Sequence, residues 1–308
     1  MIVIVSLLFI FLFFPTSTHA ANYHLSISPP VLEIITKPNK SFIHAFTLKN
    51  LSSSPITLVP KIIQIKPLDN KGHVAPTNLQ PVNNLPLKFS LENSNLTLNH
   101  PFTIPPNQTQ QLILRLTSAN LNQPQDFYLA LALTPPNLPT TKPLSQPVLT
   151  ALLFVTITPN KNLPINLTLQ NFTLPKFYDS STPLHLQPQL YNNSNTMIRP
   201  KTNLTIKNWR NHTIFSLNLA SNLILSHTSR LLHPPKSTFI FWQPPRLALG
   251  PYQFSLTVTS QNNQPLIQET KTVFLFPIKY TLYLIVGSLI FLLFLSTKSA
   301  KIKELDSN

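Results

Sequence analysis

The chain has 308 residues, no cysteine, three glycines and a net charge of +15. Without cysteine there is no disulfide framework, no thiol nucleophile and no lipid attached at a cysteine, so an exported form must hold together by packing alone. Gly, Asp, Glu, Ala and Val are scarce together and all have codons beginning with G, so the charge reads either as compositional drift or as a surface for an anionic partner. The Lys and Arg residues form no run and no aromatic-interleaved stripe, which excludes an ordinary nucleic-acid interface.

Taken in chain order, residues 1–14 are an unbroken apolar run, followed by small residues at Thr18 and Ala20. This predicts a signal peptide over residues 1–20. Strand patterns follow with little interruption. Leu112, Leu114 and Leu116 recur with period two, Phe127, Leu129, Leu131 and Leu133 follow the same period, and so do Tyr252, Phe254, Leu256 and Val258. Alternation of this kind puts one face on a core and the other toward solvent, the habit of antiparallel sheets. Residues 148–158 and 272–277 are apolar on both faces or nearly so, and no segment before residue 278 carries a capped 3.6-residue stripe.

Proline supplies the punctuation, with pairs at Pro29-Pro30, Pro105-Pro106, Pro135-Pro136, Pro234-Pro235 and Pro244-Pro245. A proline inside a strand marks an edge, a role assigned to Pro60 and Pro188. Residues 67–86 alternate weakly and hold Gly72, so they read as a long loop or an insert. The segment 159–164 reads as a domain boundary. The expected fold is therefore all-β: two immunoglobulin-like β-sandwiches in tandem, over 21–160 and 161–277. A charge-free run from Tyr280 to Thr297 then predicts one transmembrane helix over 278–297, and Lys298, Lys301 and Lys303 beyond it predict a cytoplasmic basic tail over 298–308.

Nine Asn-x-Ser/Thr sequons occur, at Asn39, Asn50, Asn95, Asn107, Asn166, Asn171, Asn192, Asn203 and Asn211, read either as glycan acceptors or as products of an Asn- and Thr-rich composition. Six acids serve the region between the two apolar ends: Glu33, Asp69, Glu92, Asp126, Asp179 and Glu269, all isolated in sequence. There is no Gly-x-Ser-x-Gly elbow and no His-Glu-x-x-His spacing, so no catalytic, cofactor-binding or metal-ligating residue is assigned and an enzyme is not expected. His44 shares strand parity with Phe42, Phe46 and Leu48, and reads as a strand histidine hydrogen-bonded at a sheet rim or as a pH-sensitive group. Trp209, beside Arg210, and Trp242 read as core packing or as stacking surfaces for a sugar or partner.

Residues 25–63 run LSISPPVLEIITKPNKSFIHAFTLKNLSSSPITLVPKII: a strand ending in Ser-Pro-Pro, a second strand, a turn, and a strand ending at Asn50. Residues 104–133, IPPNQTQQLILRLTSANLNQPQDFYLALAL, continue the pattern with Asn107 where a glycine is usual. This resembles PapD-like immunoglobulin domains. With the turn and strand from Gly250 to Thr259 and the two apolar ends, the whole layout resembles the WxL-interacting bacterial surface proteins. That resemblance implies a first domain linked to peptidoglycan and a second that binds surface or host proteins, with no individual binding residue transferred. The expectation is a single-pass cell-membrane protein, its N-terminal region extracellular, that binds another surface or secreted protein or an envelope component such as peptidoglycan or an anionic wall polymer. A basic envelope tether and a chaperone-like factor acting by strand addition are the alternatives.

Overall fold

A computed structural model describes residues 24–136, 148–160 and 163–305, with side chains to residue 295. The expected signal segment, 1–20, and the end of the tail, 306–308, lie outside the described residues. Among the described residues the chain is all-β up to one C-terminal helix, and its contacts divide it into two compact units.

The first unit comprises residues up to 65, 76–120 and 127–155. Its strands are β1 (Leu25–Ser28), β2 (Val31–Thr36), β3 (Ser41–Asn50), β4 (Ile56–Pro67), β5 (Val74–Pro76), β6 (Leu87–Leu91), β7 (Phe102–Ile104), β8 (Thr109–Ser118), β9 (Gln125–Thr134) and β10 (Leu149–Ile157). One sheet has the order β1-β3-β8-β6, the other β2-β10-β9-β4-β5, with β7 also on β4. The chain changes sheets between β1 and β2, at the cis peptide Ser28–Pro29. The sandwich closes over Phe46, Leu48, Leu112, Leu116, Leu129, Leu131, Leu133 and Leu153, all fully buried. β9 buries Ala130 and Ala132 as well, because it is central in its sheet and covered on both faces.

The second unit comprises 66–75, 121–126 and 156–308. Its strands are β11 (Leu167–Gln170), β12 (Phe177–Asp179), β13 (Leu184–Leu186), β14 (Gln189–Asn192), β15 (Lys201–Lys207), β16 (Thr213–Leu219), β17 (Ser229–Leu231), β18 (Ile240–Trp242), β19 (Gly250–Thr259) and β20 (Pro265–Phe276). They form sheets β11-β14-β17, β12-β20-β19-β15-β16 and β13-β18. The predicted inward set Tyr252, Phe254, Leu256 and Val258 packs with Leu190, Leu204, Ile206 and Val273 in one core. Trp242 belongs to it, edge-on to Phe254 at 5.3 Å.

Helix α1, Ile278–Leu305, follows β20 after Pro277 alone, and its first 18 residues are long and apolar enough to cross a membrane. Its first turn is tied to the sandwich, since the Asp179 carboxylate accepts from the Ile278 amide at 3.2 Å. Burial pushes the Asp179 carboxyl up. Hydrogen bonds from Ser181 and from the Ile278 and Lys279 amides outweigh that and leave it below its ordinary value, so the cap is charged.

Two asparagines wire the units in the same way. Asn50, at the end of β3, is fully buried; its amide donates to the carbonyls of Ser54, Ile104 and Pro105 at 2.9–3.1 Å and accepts from the Ser52 amide and hydroxyl. Asn192, at the end of β14 and fully buried, donates to Thr196, Ile224 and Leu225 and accepts from the Ser194 amide. The sequence repeats too, as Asn50-x-Ser52-x-Ser54-x-Ile56 and Asn192-x-Ser194-x-Thr196-x-Ile198. Ile56 pairs with Ile104, and Ile198 bridges to Ile224.

Proline bounds the strands, but asparagine makes the turns. Among the described residues, φ is positive at Asn39, Asn84, Asn99, Asn107, Asn171, Asn211, Asn263 and His227, besides Gly72 and Gly250. Proline is locked at negative φ and cannot substitute for glycine there, whereas asparagine tolerates the left-handed region. Pro188 is not inside a strand; it stands in the two-residue link between β13 and β14, where its carbonyl takes the Leu232 amide. Pro60 does lie within β4, but β4 is no edge, having β9 on one side and β5 and β7 on the other; the Pro60 carbonyl accepts from Asn99, so its peptide faces away from β9 and no ladder bond there is lost.

Candidate functional site

A β-sandwich offers a partner its faces and its edges, and the edges here differ sharply. β1 has four residues, β5, β7 and β12 three each, β6 carries Lys88 and β2 carries Glu33. Short length and charge are the usual devices that keep an edge from pairing with another chain. The outer side of β17 is taken by the chain itself, since the Leu231 amide donates to the Asn70 carbonyl at 2.8 Å.

β16 has none of these protections. Its seven residues, TIFSLNL, contain no charge and no proline, and it pairs on one side with β15 across six registered positions. No backbone hydrogen bond reaches its other side from the described residues outside the ladder. Phe215 and Leu217 point at the core yet stay only half-buried, although Leu219 at the strand end is fully covered. Incomplete cover on inward-facing residues is what a missing neighbour strand leaves. On the solvent face Asn203 of β15 donates to Asn218 at 2.7 Å across an uncharged polar surface, and the register shifts once at the start of the strand, where Ile214 is skipped.

The residues singled out in the sequence fall elsewhere. His44 is not hydrogen-bonded at a rim: it lies between Phe42 and Phe46, 5.0 Å from the latter's ring centre, and its Nε2 is buried with no hydrogen-bond partner among the described residues. Trp242 is core. Trp209 is exposed on the β15–β16 turn with the Arg210 guanidinium 4.4 Å over its ring. The acids serve structural contacts: Asp69 with His73, Glu92 with Arg115, Asp126 with the Thr156 hydroxyl and the Met197 amide, Asp179 with the first turn of α1, and Glu269 with Lys271. The His73 ring and neighbouring amides hold Asp69 down to about 2, and Arg115 holds Glu92 below its ordinary value. No cluster of three metal-ligating side chains occurs among the described residues.

Six of the nine sequons serve the fold. Asn50 and Asn192 are sealed inside, and Asn39, Asn107, Asn171 and Asn211 make left-handed turns. Sequence reasoning found Asn50 as a strand end but took Asn192 only for a sequon; the repeated Asn-x-Ser-x-Ser/Thr-x-Ile spacing is the signal that identifies it. β16 was missed because its alternation is that of any strand.

No protein-family model matches the sequence, and no curated protein does. Among solved structures the chain is similar to one in the chaperone–tip adhesin complex of CFA/I fimbriae biogenesis, at 12% identity and a TM-score of 0.41, over 79% of this chain and 97% of that one. It is similar to the class 5 fimbriae chaperone CfaA at 11% identity and 0.40, over 81% and 98%, and to the E. coli chaperone DraB at 10% and 0.33, over 82% and 97%. Likeness at this level bears on neither partner nor activity.

Proposed function

We propose that this chain is a single-pass membrane protein that binds an extended segment of another surface or secreted protein by strand addition at β16. The observation that carries the reading is the unprotected edge itself: seven uncharged, proline-free residues with half-buried Phe215 and Leu217 beneath it. An added strand would satisfy the outward backbone groups of β16 and cover those two side chains, so main-chain hydrogen bonds supply affinity and side-chain pockets supply specificity. The apolar run of α1 serves as the anchor, and the lysines after it set the N-terminal units outside and the tail in the cytoplasm. The two units are proposed as separate sandwich domains meeting in the 159–164 segment.

The test is a photo-crosslinking residue at Ser216, on the exposed side of β16, in intact cells, with Ser90 on the Lys88-bearing edge as control. One dominant adduct at Ser216, lost when Ile214 and Asn218 on the same exposed face are both replaced by lysine, supports strand addition. A spread of unfolded secreted clients at the same position would make the protein an assembly factor. Equal labelling from both edges sinks the assignment to β16.

A further inference from the structure

The end of the second unit next to α1 carries an apolar and cationic surface that neither the core nor strand addition requires. β20 enters the helix through one residue, and the Asp179 cap fixes the junction, so this end of the sandwich stays beside the start of the apolar span. Other pieces of chain converge there. β12 runs parallel to β20, with Phe177 beside Phe274 and Asp179 beside Phe276. The Ser180 amide donates to the Phe276 carbonyl, and its hydroxyl to the Arg246 carbonyl at 3.1 Å, which places the 243–249 turn at the same end. β19 begins at Gly250 opposite Leu275, so the residues before Gly250 extend the way β20 runs into the helix. The β15–β16 turn reaches this place too, because Trp209 stands against Gly250, where an added Cβ would come within 3.7 Å of the indole.

The side chains presented are large and bare. Phe177 and Leu247 are each 72% exposed, Trp209 59% and Leu249 55%. Trp209, Leu247 and Leu249 line an open concavity of about 860 Å³. Arg210, Arg246, Lys176 and Lys279 are exposed among them, while Asp179 is spent on the helix cap. Exposed apolar tips interleaved with cations match the boundary between lipid phosphates and acyl chains.

We propose that this end of the second unit is a lipid-docking surface, seated in the anionic headgroup layer of the bilayer that α1 crosses. Trp209, Leu247 and Leu249 enter its apolar edge, while Arg210, Arg246 and Lys279 meet the phosphates. The proposal rests on reading α1 as the membrane span. Continuity with the helix selects lipid over a protein partner, since a strand joined to the span by one residue holds the surface against the bilayer.

The protein carries its own probe, because it has two tryptophans and the other, Trp242, is only 4% exposed. The full chain is reconstituted in phosphatidylcholine–phosphatidylglycerol vesicles with and without lipids brominated high on the acyl chain, and its retention after an alkaline wash is read by flotation. The expected result is loss of part of the tryptophan emission in brominated vesicles, absent in Trp209→Phe and in the Leu247→Glu, Leu249→Glu double variant, with all three proteins floating. Emission equal in both vesicle types from a protein that floats overturns the docking surface and leaves the anchor standing. A wild-type chain that fails to float overturns the anchor and the docking together.

Discussion

The two asparagine locks make one motif in two settings. In the first unit Asn50 sits in a four-stranded sheet, with β6 covering the outer side of β8 and three residues of β7 on β4. In the second, Asn192 sits in a three-stranded sheet, the β7 pairing shrinks to the single Ile198–Ile224 bridge, and the outer side of β17 is met by Asn70 in place of a strand. The hydrogen bonds of Asn192 are buried, whereas those of Asn50 lie partly at the surface. The same spacing therefore builds the same local wiring, but the lock carries more weight where fewer strands surround it.

Removing each amide tests that weighting most directly. Asn192→Ala strands three buried carbonyls and the Ser194 amide, for an expected loss of about 3–5 kcal/mol; Asn50→Ala, partly rescued by water, should cost about 2–3 kcal/mol. Equal shifts in chemical denaturation would break the comparison. The serines should separate next. Ser52 donates to Asn50 itself, but the Ser194 hydroxyl accepts from the Asn166 amide just before β11. Each alanine variant should lose about 1 kcal/mol, with only Ser194→Ala speeding hydrogen exchange at Asn166.

The turns differ less. Asn107 and His227 hold corresponding left-handed positions, and histidine bears that conformation worse than asparagine. His227→Gly should therefore gain about 0.5–1 kcal/mol and Asn107→Gly only a few tenths; thermal melts giving the reverse order would refute the reading.

The smallest effect belongs to the segment 66–75 that covers β17. Gly72, at φ +90°, lets the Arg230 guanidinium lie against the backbone, where an added Cβ would come within 0.9 Å of it. Asp69 organises the turn by accepting from the Lys71 and His73 amides and the His73 ring. Its carboxyl is lowered from 3.8 to about 2, so this contact favours the folded turn above the ordinary value and fades as pH falls through about 2. Protection of the Leu231 amide, its exchange rate relative to the intrinsic rate at each pH, should fall across that window and stay constant there in Asp69→Asn.

The sequence by itself determined the strands, their inward faces and the apolar ends. Period-two alternation is a local record of burial, and it placed Leu112, Leu129, Phe254 and Leu256 in cores. It also marked Asn50 as a strand end and Asn107 as a stand-in for glycine. Only the tertiary structure decided which strand is an edge, because β15 and β16 alternate alike and differ only in having two neighbours or one. It likewise decided that Asn192 is a lock, that His44 lies between phenylalanines, and that Trp209 and Leu247, far apart in sequence, share one end of a sheet beside α1. Alternation measures how a residue faces its own sheet; what lies beyond that sheet is set by chain segments distant in sequence, and no local pattern encodes it.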